Sequence, residues 1–162
     1  MKIPERCSWV TYLGRGPHEN YIDRNESAFE GLYSSTVEDL GEPYIYPQEN
    51  ANRTGVRWMA FTDSENSGLV ITADSLLSMS AWPHSQENIE KAAHTFELPE
   101  ESENTVNIDL IQMGVGGTDS WTAMAAPLEK YQIRPVKMHY SFWLKPYDGS
   151  TGLTEFGRMT VK

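Results

Sequence analysis

Residues 54–63 read TGVRWMAFTD, and the order of side chains in this run decides the fold. Val56, Trp58, Ala60 and Thr62 occupy alternate positions, so an extended chain carries them on one face. The run is rich in residues that suit a pleated, half-buried surface. It ends at DSENSG (63–68) and resumes as GLVITA (68–73), which reads as a hairpin turn between two strands. The same period of two recurs outward from there, in SWVTYLG (8–14), LLSMSAW (76–82), TVNIDLIQ (105–112) and VKMHYSFWLKP (136–146). In 105–112, Val106, Ile108 and Leu110 face one way and Asn107 and Asp109 the other. In 136–146, Val136, Met138, Tyr140, Phe142 and Leu144 share a face. PEESEN (99–104) reads as a second hairpin turn. One helix is expected in SQENIEKAAH (85–94), with Ser85 as N-cap, Asn88 at the third helical position and Pro83 before it. Strands with one wetter face imply an all-β chain, an antiparallel β-sandwich of about eight to ten strands. Residues 148–162 read as a loosely ordered C-terminal tail.

A chain of 162 residues with 39% hydrophobic and 22% charged residues fits one globular domain with a core of its own. Its formal net charge of −10 repels phosphate backbones, so nucleic acid is not an expected partner. Neither a basic run nor an apolar run of roughly 18 residues argues for a membrane. The opening MKIPERCSW has no stretch of signal-peptide type. Cys7 is the single cysteine, which excludes an internal disulfide and reads as a strand residue. His18, His84, His94 and His139 are scattered without ligand spacing, so no metal is expected on this chain.

Three segments do not behave as plain connections. Residues 15–26, RGPHENYIDRNE, and 41–55, GEPYIYPQENANRTG, are long and dense in Asn, Arg, Glu, Tyr and Pro. Loops of that length are usually functional or docked. Residues 113–121, MGVGGTDSW, place three glycines in four residues, which weaken any regular strand or helix and permit a close backbone approach. A tryptophan at the end of such a loop suits a sugar or aromatic partner, and suits a buried plug nearly as well.

Taken together, YLGRGPHENYIDR (12–24), PYIYPQENANRTGVRW (43–58) and QMGVGGTDSW (112–121) resemble, in this order and spacing, the C-terminal domain of large β-galactosidases of glycoside hydrolase family 2. The resemblance runs from Trp9 to about Leu144. It implies that residues 1–147 are part of a β-supersandwich like that of galactose mutarotase, borne on a long chain whose chemistry is done by a TIM barrel. Retaining hydrolysis needs two carboxylates flanking the glycosidic bond. In the family these are barrel glutamates, so no residue here is expected to be catalytic, and the chain alone is expected to be inactive. Trp121 is the residue the resemblance brings to the galactoside, as an apolar, electron-rich face against sugar C–H groups. Asp119 and Ser120 are expected to tie the loop to itself. Thr118 departs from the commoner GGDDSW. His18, with Arg15 and Glu19, is expected to tether its loop. Arg53 is expected to be the centre of a polar network with Asn50 and Asn52, because its fork can hold several carbonyls or a carboxylate. The family's magnesium and sodium lie on other domains, so no cofactor is expected here. The implied partners are a galactoside and the remainder of the enzyme, as one chain or as a separate large subunit. Open sheet edges would also favour pairing between copies. A stand-alone carbohydrate-binding module, a mutarotase-like epimerase and a purely structural tail are the rival readings.

Overall fold

The computed structural model describes residues 1–117, 119 and 122–159. Ser120 and Trp121 of the expected site, and Thr118, lie outside the described residues. The strands are β1 (Lys2–Pro4), β2 (Trp9–Gly16), β3 (Phe29–Thr36), β4 (Arg53–Thr62), β5 (Gly68–Trp82), β6 (Glu103–Asp109) and β7 (Phe142–Tyr147). All pairings between them are antiparallel, and the path through the sheet is β1-β6-β5-β4-β2-β3. β5 pairs with β7 through 68–73 and with β6 through 78–82. Since β4 takes its other edge, β7 and β6 lie end to end along one side of β5. The mostly-β, antiparallel expectation holds. The described residues form one seven-stranded sheet rather than eight to ten strands.

Alternation sorts the side chains onto two faces. Val10, Tyr12, Met59, Phe61 and Ile71 join the main core with Leu77, Met79, Ala81 and Val106. The intervening Trp58, Ala60 and Val70 form a second cluster on the opposite face, with Leu13 and Tyr147. Trp58 and Ala60 therefore share a face as their spacing predicts. Val56 does not: it belongs to the main core. The cause is an irregularity in the ladder, where Val56 faces Leu77 but Trp58 faces Thr72. β5 uses more residues than β4 over that interval, and a second irregularity, between Arg53 and Val56, contains Gly55 at φ 65°.

Four local expectations need correction. GLVITA and LLSMSAW are one fifteen-residue strand. Residues 99–104 are not a hairpin turn, since they join a 3-10 turn at Thr95–Glu97 to β6. Only the end of 136–146 is a strand. Tyr140 is instead held by its hydroxyl, which donates to Ile108 O at 2.7 Å. The expected tail contains a helix, α2 below. The predicted first helix, α1 (Gln86–Lys91), forms with the Ser85 hydroxyl accepting from Asn88 N. It stops early because the Glu97 carboxylate draws the N–H groups of Ala93 and His94 away from helical partners.

α2 (Leu153–Arg158) packs its Phe156 edge-on to Tyr147, with ring centres 5.2 Å apart. Lys145 Nζ donates to Phe156 O and Met159 O, which satisfies carbonyls at the helix end. A Cβ on Gly157 would lie 2.6 Å from the Trp58 ring. Gly157→Ala is therefore expected to undock α2 at a cost of about 2 kcal/mol, the usual penalty for overpacking. The checks are a lower urea midpoint and lost hydrogen-exchange protection across 153–158.

Candidate functional site

The first two polar blocks close on each other through Asn20 and Asn52. Asn20 is fully buried. Its amide donates to Arg15 O at 3.1 Å and His18 O at 3.0 Å, and its carbonyl accepts from Thr54 N at 3.0 Å and Thr54 Oγ1 at 2.6 Å. Its backbone N–H donates to Asn52 O, and the Asn52 amide donates to Asn20 O, both at 2.8 Å. An asparagine can serve two acceptors and two donors at once, and here all four capacities are used.

Glu19 sits beside it, with its carboxylate almost wholly covered. Arg24 Nη2 at 2.5 Å and Tyr44 OH at 2.7 Å donate to Oε1, and Ala51 N at 2.8 Å donates to Oε2. A buried charge is tolerable when it is paired and hydrogen-bonded in this way.

Arg53 is also buried, and among the described residues its hydrogen bonds go to carbonyls and a phenol rather than to a carboxylate. Its Nε donates to Tyr12 OH at 3.1 Å, Nη1 to Ala51 O and Asn52 O, and Nη2 to Leu40 O. It stitches β2, β4 and the turn ending at Leu40. Burial, with Arg53 opposing it, pushes the Tyr12 phenol above its usual range. His18 Nε2 and Ser27 Oγ are hydrogen-bonded at 3.0 Å across the 18–27 loop, on the surface. Arg15 Nη1 donates to Asn25 O and Ala28 O.

The glycine-rich run answers why three glycines stand so close. The N–H groups of 114–117 all have partners. Gly114 N donates to Tyr131 O, Val115 N and Gly116 N to the two oxygens of Asp23, and Gly117 N to Ala125 O. A Cβ on Gly114 would meet Asp23 Oδ2 at 2.6 Å, and one on Gly116, at φ 82°, would meet Ala125 O at 1.9 Å. Only Gly117 has open space. Beyond it the Asp119 carboxylate accepts from Thr122 N at 2.7 Å and Thr122 Oγ1 at 2.8 Å. Asp119 and Thr122 flank positions 120 and 121 in sequence.

The three blocks meet around one cavity of about 550 Å³, lined among others by Tyr21, Arg24, Glu49, Gln112, Val115 and Asp119. Burial, and then the charge of Asp109, push the Glu49 carboxyl upward, and burial followed by Glu19 pushes the Tyr21 phenol upward. A larger cavity of about 770 Å³ lies between the 37–50 segment and the end of β5. No described residue of 112–121 lines it, so the smaller cavity is the better candidate site. Asp23 and Asn20 escaped sequence reasoning; their one signal was membership in a loop too long and polar to be a plain connection. Among the described residues, no group of three His, Cys, Asp or Glu side chains is arranged to hold a metal.

Residues 1–144 match the family model described as "Beta galactosidase small chain". The chain is 40% identical over 138 residues to a beta-galactosidase of Priestia megaterium, covering 85% of this chain and 13% of that protein. It is 38% identical over 144 residues to one of Vibrio cholerae, covering 89% of this chain and 13% of the relative. A beta-galactosidase of Lactobacillus delbrueckii subsp. bulgaricus is 41% identical over 142 residues, covering 85% and 14% respectively. The chain thus spans about 13% of the length of such curated relatives. A seven-stranded antiparallel sheet, three polar blocks locked around one cavity, and a family match over 144 residues agree: the chain belongs to the beta galactosidase small chain family.

Proposed function

We propose that this region completes the galactoside-binding pocket of a β-galactosidase and packs against its barrel catalytic domain, as part of a mutarotase-like supersandwich. The region supplies shape and an aromatic contact, while the two hydrolytic carboxylates come from elsewhere in the enzyme. The observation that carries this reading is the fixed start of the MGVGGTDSW loop. Four consecutive N–H groups are held, the first two on residues that line the cavity, and the sequence runs on to Trp121. A rigid support of this kind is what a substrate-contacting side chain requires.

The surface supports the packing half of the proposal. Val136, Met138, Tyr140, Phe142 and Leu144 are all exposed, although their alternation is that of a covered face. Ile45, Phe96 and Met124 are each more than four-fifths exposed as well. An exposed apolar run of this kind over 136–144 is what an interaction surface offers. The remainder of a much longer enzyme is the occupant that the comparisons favour.

Trp121→Ala in the β-galactosidase that contains this region should raise KM for a nitrophenyl β-galactoside about tenfold, the equivalent of 1.4 kcal/mol of stacking. Steady-state kinetics measure it. Unchanged kinetic constants would leave the region a structural tail.

A further inference from the structure

Asp23 belongs to the first block, ninety residues upstream of the loop it holds. Its Oδ1 accepts from Val115 N at 3.1 Å and its Oδ2 from Gly116 N at 2.9 Å. The absence of a side chain at Gly114 is what lets Oδ2 approach, since a Cβ there would stand 2.6 Å away. Asp23 is itself on a fixed mount. It lies in the turn where Tyr21 N donates to Arg24 O and Arg24 N to Tyr21 O. Arg24 is tied to the buried Glu19, and Glu19 to Ala51 N and Tyr44 OH. A continuous set of bonds therefore runs from the buried Asn20–Thr54 lock, through Glu19 and Arg24, to the loop.

We propose that Asp23 is a positioning residue for the galactoside site, setting the loop that carries Trp121 so that the indole meets the sugar. The proposal rests on the substrate role of Trp121. Two backbone N–H groups on one carboxylate form charge-assisted bonds that fix both the distance and the rotation of the loop. Its neighbours supply a second fastening, at Gly114 to Tyr131 and Gly117 to Ala125. Loss of Asp23 would therefore tilt the loop rather than unfold it. A small misplacement of a substrate-contacting group is enough to weaken binding substantially.

The experiment is a double-mutant cycle in the intact β-galactosidase, reading kcat and KM for a nitrophenyl β-galactoside. Asp23→Asn keeps the shape but turns one acceptor into a donor facing an N–H. It should raise KM about tenfold with kcat little changed, and add almost nothing in a Trp121→Ala background. Gly114→Ala, which crowds Oδ2 from the other side of the contact, should give the same signature and decides the matter if Asp23→Asn fails to fold. Equal losses in both backgrounds would make Asp23 merely structural and overturn the proposal. An unaffected Asp23→Asn beside a damaged Trp121→Ala would overturn it while sparing the role of Trp121. If Trp121→Ala itself changes nothing, both fall.

Discussion

Arg53→Met should destabilise the chain by about 4 kcal/mol, read as a lower urea midpoint at constant slope. Methionine fills much of the same volume but donates nothing. The substitution strands Leu40 O and Ala51 O in a region that excludes water, and removes one of two partners from Asn52 O, which keeps Asn20 N, and from the Tyr12 hydroxyl, which keeps Pro17 O. Each buried group left without its partner costs roughly 1–3 kcal/mol, and relaxation of the loop recovers part of the total. Arg53→Lys is the sharper control. It keeps the charge, but a single ammonium cannot reach carbonyls on opposite sides of a fork. A lysine variant as stable as the parent would show that charge, rather than the fan of bonds, is what the site uses.

Asn20→Ala should cost about 3 kcal/mol or more, from four side-chain hydrogen bonds and the cavity left behind. Asn20→Asp tests the geometry more severely. A carboxylate can still accept from Thr54, but it points an oxygen at Arg15 O and His18 O, so it should be at least as damaging as alanine at neutral pH. Chemical denaturation measures both. Asn20 and Arg53 meet through Asn52, so their combined loss should be smaller than the sum of the two.

The period-two pattern was informative wherever a strand has both neighbours in this chain. Met59, Phe61, Ile71, Val106 and Ile108 all turn to the main core, which is the partition that alternation predicts. It failed in three physical situations. A register irregularity breaks alternation across it, so Val56 lies in the main core and not with Trp58. β3, FEGLYSST, carries a glycine and four hydroxyl residues and has a wetter outer surface, so its composition hides a strand whose Tyr33 packs on Tyr12. The alternation of 136–141 belongs to no paired strand, and in this chain its apolar side chains are open to solvent. α2 is six residues long with a glycine inside it, too short for periodicity to detect. At the candidate site, long polar loops were legible as anomalous, and the carbonyls around Arg53 follow from the chemistry of its fork. The Asp23 contact was not legible, because nothing local in YIDR distinguishes a carboxylate aimed at solvent from one aimed at a backbone ninety positions away.

β5 has a consequence in time as well as in space. Thr62 meets Gly68 across a short turn, so the β4–β5 hairpin closes little entropy-costly loop. The opposite edge of the same strand waits for residues made much later in the chain, Val106 facing Ala81 and Tyr147 facing Gly68. Such non-local pairings slow folding and keep an edge unsatisfied while they form. On that argument the β4–β5 hairpin is expected to form first and the 68–73 edge, whose partner β7 is the most distant in sequence, to be covered last, leaving it the edge most open to pairing with another chain meanwhile.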